Sequence, residues 1–92
     1  MDIVVDYNKV SNKDEAYNAV KEAVTPELLA KFQVKADINY HNDKISAKGK
    51  GFKLDIFFNE ETCSAKIDLS FLLKPLKGKV LEGIEKQLNR II

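Results

Sequence analysis

The stretch VKADINYHNDKISAKGKGFKLDIFFNEETCSAKIDLSF, residues 34–71, decides the fold, because its apolar residues return at every second position. Val34, Ala36, Ile38 and Tyr40 alternate with Lys35, Asp37, Asn39 and His41, the pattern of a strand with one buried face. Asn42-Asp43 then fits a two-residue hairpin turn, since both residue types tolerate positive φ. Ile45 and Ala47 hold odd positions, whereas Phe52, Leu54, Ile56 and Phe58 hold even ones. A regular strand cannot change phase, so Gly49-Lys50-Gly51 predicts either a tight turn or a glycine bulge. Asn59 to Thr62 form the next turn, and Ala65, Ile67, Leu69 and Phe71 the core side of the last strand.

Outward from this meander, the period changes. Ile3, Val4, Val5 and Tyr7 read as a short first strand, and Asn8 to Asn12 as a polar break. Ser11 with Asp14 three residues later predicts a capped helix start. Ala16, Ala19, Val20, Ala23 and Val24 recur at helical spacing, with Lys13, Glu15, Lys21 and Glu22 on the other side. Thr25 is a good N-cap and Pro26 suits a first helical position, so residues 26–32 form a second short helix or a kinked continuation. Beyond Pro75, Leu76, Val80, Leu81, Ile84, Leu88, Ile91 and Ile92 make one broad apolar stripe on a final helix. The order is strand, broken helix, a meander of three or four strands, helix. This predicts an α+β fold in one domain spanning residues 1–92: a single antiparallel sheet with its helices packed on one face.

Composition narrows the functional classes. With 45% hydrophobic and 32% charged residues, the 92-residue chain has the make-up of a globular domain rather than a disordered one. Fifteen basic residues against fourteen acidic ones give a net charge of +1, which supplies no global field for nucleic acid or an anionic membrane. The single cysteine, Cys63, excludes an internal disulfide and a Cys-based zinc site, and no cofactor or metal motif appears. The opening MDIVVDYNKV has an acid at position 2 and a short apolar run, unlike a signal peptide. No window approaches the ~18 apolar residues of a membrane span, so cytoplasmic residence is the expectation.

No set of residues spells a catalytic site. His41, the only histidine, sits beside a turn, and Asp43 shares that turn in water. Cys63 matches the core parity of Ala65 and Ile67 and follows two glutamates, an environment that opposes a reactive thiolate. Lys48-Gly49-Lys50-Gly51-Phe52-Lys53 lacks the helix a phosphate loop needs and reads as a solvated hairpin end. Phe57 is different: it faces away from the core set, among Lys53 and Asp55, where it either covers lysine stems or belongs to a contact patch. The strongest candidate for an interaction surface is Phe71-Leu72-Leu73-Lys74-Pro75-Leu76-Lys77-Gly78-Lys79. Large apolar residues crowd a strand-to-helix junction there. Lys74, Lys77 and Lys79 lie at a helix start, where the macrodipole disfavours cations.

The same region carries a resemblance. Residues 67–92, IDLSFLLKPLKGKVLEGIEKQLNRII, resemble the C-terminal signature of the polyhydroxyalkanoic acid system protein family of bacteria. Phe71-Leu72-Leu73, Lys77, Val80 to Glu82 and Leu88-Asn89 stand at the signature positions, and Asp14-Glu15-Ala16 echoes its first helix. Asn8 and Lys9 occupy a region where a histidine is expected, Ser70 stands for a common glycine, and Thr25-Pro26 breaks a helix that is continuous in the family. The resemblance implies a non-enzymatic accessory protein of polyhydroxyalkanoate storage, acting at the granule surface or on a granule-associated protein. A second expectation is a small apolar-ligand carrier with a shortened helix-grip fold, its pocket lined by Phe32, Tyr40, Phe58 and Leu81. A pocket of ~300 Å³ is a large share of so small a core. Edge strands and Phe57 leave monomer and homodimer both open.

Overall fold

In the polar break after the first strand, the helix start falls one residue later than Ser11 implies. Asn12 is the cap: its Oδ1 accepts from the Glu15 amide at 2.9 Å, while its Nδ2 reaches the Glu15 carboxylate at 3.4 Å. The amide of Asn12 supplies both a donor and an acceptor, so it closes a reciprocal cap that the Ser11–Asp14 spacing only mimics. The structure, a computed structural model, describes residues 2–31, 35–41 and 43–92. Strand β1 (Ile3–Asp6) leads to helix α1 (Lys13–Ala23) and then α2 (Pro26–Ala30). Thr25 caps α2 by accepting from the Leu28 amide, with Pro26 in the first turn. Strands β2 (Asp37–His41), β3 (Lys44–Gly49), β4 (Phe52–Phe58) and β5 (Thr62–Leu69) follow, and a 3₁₀ turn (Lys74–Leu76) runs into α3 (Lys77–Ile91).

The strands form one antiparallel five-stranded sheet in the order β1-β5-β4-β3-β2. His41 pairs with Lys44, as a two-residue hairpin requires, although Phe32, Val34 and Asn42 lie outside the described residues. The phase change resolves as a turn: Gly49 pairs with Phe52, which leaves Lys50-Gly51 as the loop. Gly51 adopts φ +73°, a left-handed value that costs an L-residue about 1–2 kcal/mol. Paired residues share a face, so the odd positions of β3 and the even ones of β4 both point inward. Ile45, Ala47, Leu54 and Ile56 are accordingly buried.

Beside the meander, β1 adds itself to β5 with Ile3 opposite Ala65 and Asp6 opposite Thr62. All the helices cover one face. Ala16, Val20, Leu28 and Leu29 from the first two helices join Val80, Ile84 and Leu88 of α3 over Ile3, Val5, Leu54, Ile56 and Ile67. Each large aliphatic side chain so buried contributes roughly 1.5–3 kcal/mol. The end of α3 is anchored too, because the amides of Asn8 and Lys9 donate to the Ile92 carbonyl at 2.6 and 2.7 Å.

Candidate functional site

The expected core position of Phe71 is not what the structure shows. Strand β5 stops at Leu69, and Ser70 begins a turn instead of a further extended residue. The Ser70 amide donates to the Gly51 carbonyl at 2.8 Å. In turn the Leu73 and Lys74 amides donate to the Ser70 carbonyl at 2.9 and 3.0 Å, and the Leu76 amide to the Leu73 carbonyl at 2.9 Å. These bonds close the chain reversal, so the alternation that would have buried Phe71 ends at Leu69, two residues before it. Phe71 and Leu72 are each 85% exposed, the highest exposure among the large apolar side chains described. Leu73 turns back and is half-buried, close to Gly51. Leu72 therefore lies outside the core.

The lysines separate into two kinds. Lys77 lies 3.6 Å from the Asp2 carboxylate, whose other oxygen accepts from the Ile67 amide at 2.8 Å. Asp2 thereby ties the start of β1 to β5 and to the first turn of α3. Its carboxyl is held below the usual range chiefly by that amide bond, which outweighs the opposing desolvation, and Lys77 adds a lesser pull in the same downward direction. Lys74 and Lys79 are exposed, and among the described residues neither lies within ion-pair distance of a carboxylate. Packing of the Lys50-Gly51 turn against Ser70 and Leu73 brings exposed Lys50 beside the junction. Lys35, Lys48 and Lys50 rim an open depression of about 300 Å³ next to it, which also includes Asp37. By its local sequence alone this hairpin is a solvated end. Its charge gains meaning only through the Gly51–Ser70 contact, which joins segments 19 residues apart.

Phe57 is not part of this surface. It lies near the far end of β4, opposite Lys44 and Ser64, whereas Phe52 at the near end pairs with Leu69. The Lys44 ammonium sits 5.2 Å from the Phe57 ring centroid, so the half-buried ring covers a lysine of its own sheet. Beside it, Asp55 is buried on this outer face by Lys44 at 3.5 Å, Lys53 at 3.9 Å and the Ser46 hydroxyl at 2.9 Å. Nothing in the alternation distinguished Asp55 from its exposed neighbours. Its burial comes from Lys44 and Ser46 on the neighbouring strand β3 together with Lys53 on its own strand.

Of the remaining candidates, Cys63 is fully buried, and burial pushes its thiol up to about 12. His41 is exposed at the end of β2. Phe58 is buried with its ring edge-on to Tyr17 at 5.6 Å, and Leu81 lies half-buried against the core. The Tyr40 hydroxyl donates to the Val24 carbonyl at 2.8 Å. Among the described residues, no three His, Cys, Asp or Glu side chains cluster as metal ligands, and no helix is long and apolar enough to cross a membrane.

Compared with known proteins, residues 5–92 match the model of a family described as "Putative polyhydroxyalkanoic acid system protein". Neither a curated protein nor a solved structure matches the chain.

Proposed function

Since the chain belongs to the polyhydroxyalkanoic acid system protein family, we propose that it is a non-enzymatic accessory protein that adsorbs to the polyester granule through the turn between β5 and α3. The observation that carries this reading is the outward display of Phe71 and Leu72, adjacent residues that the fold does not use. The residues on either side of the pair, Ser70 and Leu73-Lys74, are tied to one another by backbone hydrogen bonds, so the turn that presents it is formed before any partner arrives. A polyester surface is largely apolar, and it can take up two projecting hydrocarbon side chains without a shaped pocket. Cys63, the one thiol of the sequence, is buried and neutral, which withholds it from nucleophilic work.

Co-sedimentation of the purified protein with isolated granules tests this reading, using a neutral protein of similar size as the control. Saturable binding that exceeds the control is the expected result. Binding no better than the control rejects granule adsorption, and binding lost after the granules are stripped of protein points to a protein partner instead.

A further inference from the structure

The exposed pair at the β5–α3 turn does not stand alone: cations flank it on two sides. Lys74 and Lys79 follow it in the chain, and the Lys50-Gly51 turn is held beside it by the bond from the Ser70 amide to the Gly51 carbonyl. Resting on the adsorption reading above, we infer that this tip inserts into an anionic amphiphile layer, a phosphate-bearing lipid film, and not directly into bare polyester.

Size and charge lead to that class of partner. Two side chains on one turn offer far less than the roughly 800 Å² per partner of a stable protein interface. They project instead of lining a groove, so a rigid protein would need a matching pocket. A fluid lipid layer closes around a small wedge of any shape. Bare polyester would reward Phe71 and Leu72 but leave the ammonium groups of Lys50, Lys74 and Lys79 without partners. A layer of phosphate headgroups satisfies both, since the lysine stems lie along the apolar boundary while their charges reach the phosphates. The overall charge of +1 creates no long-range attraction. The effect is therefore local, acting within a Debye length of about 8 Å at physiological salt. Lys35 and Lys48 line the depression that shares Lys50, where Asp37 offsets part of their charge.

The test compares three surfaces with the full chain: phosphatidylcholine vesicles, equal mixtures of phosphatidylcholine and phosphatidylglycerol, and bare polyhydroxybutyrate particles. Sedimentation with the anionic vesicles is expected, weakening as salt rises, with little binding to phosphatidylcholine alone. Replacing Lys50, Lys74 and Lys79 together by Gln should weaken anionic-vesicle binding about a hundred-fold, roughly five-fold per lysine. Thermal melting checks that this variant stays folded, and the salt series on the unaltered protein carries the test independently. Equal binding to both vesicle types, or binding indifferent to salt, overturns the inference. So does undiminished binding of the folded triple variant. Binding to bare polyester but not to anionic vesicles overturns it while leaving granule adsorption in place. Binding to none of the three surfaces removes both.

Discussion

Strand β4 and the turn that follows β5 are both rich in large apolar residues, yet the fold treats them in opposite ways. In β4, Phe52, Leu54, Ile56 and Phe58 fall on alternate positions of an extended chain, and all four are buried under the helices. After Leu69 the chain leaves the sheet, so Phe71 and Leu72 lose the alternation and point outward, 85% exposed. Hydrophobicity alone does not assign a residue to the core. The backbone hydrogen bonds that precede it decide which way it faces. The apolar content of β4 is spent on stability, and that of the turn is left over for contact with something else.

The stable pole of this contrast is β4, and substitution there carries the largest effect. Ile56→Ala should lower stability by about 2–5 kcal/mol, because the site is fully buried and its neighbours collapse only partly into the gap. Urea denaturation measures this, and a loss as small as that of a surface substitution would break the contrast.

A pH series sharpens the same pole from a neighbouring strand. Burial raises the Cys63 thiol from 9.0 to about 12, and desolvation raises Tyr7 from 10.0 to about 12. Above pH 9 the unfolded chain releases the thiol proton while the folded chain keeps it, so the unfolded state binds fewer protons and stability falls. The slope is ~1.4 kcal/mol per pH unit for one such proton, and Tyr7 steepens it above pH 10. Cys63→Ala should remove the first part of this slope in melts between pH 9 and 10, whatever it does at neutral pH. An unchanged slope there would mean that the thiol is not shielded.

Gly51→Ala probes the hinge between the two regions. It forces a side chain into a left-handed backbone and places a methyl group 2.7 Å from the Ser70 hydroxyl. A loss of about 1–2 kcal/mol is expected by thermal melting. A stability equal to that of the unaltered protein would show that the turn can re-form without its φ of +73°. The smallest effect belongs to the turn itself: Phe71→Ser with Leu72→Ser should change folding stability by no more than about 0.5 kcal/mol.

The sheet was legible in the sequence wherever a local rule applied. Period-two alternation located β3, β4 and β5, Thr25-Pro26 located the start of α2, and the parity of Cys63 placed it in the core. Local spacing also misled where two local solutions compete. Ser11 and Asp14 imitate a cap that Asn12 and Glu15 form better, and Phe71 continues a parity that the backbone has already abandoned. What the sequence could not display were partnerships between distant segments. Nothing local assigns β1 to β5, Asp2 to Lys77 and Ile67, or the Gly51 carbonyl to Ser70. Of the candidate surface, the identity of its residues could be read in advance. Its division into a lysine committed to Asp2, lysines left at the surface and a ring committed to Lys44 could not.

The contrast between the two regions is tested most directly by measuring granule binding and melting temperature together for the Phe71→Ser, Leu72→Ser double variant. An unshifted melt with binding weakened tenfold or more is the predicted result, since ~1.4 kcal/mol of lost apolar contact suffices for that factor. Full granule binding by the folded variant, or a melt that collapses as a core substitution would, contradicts it.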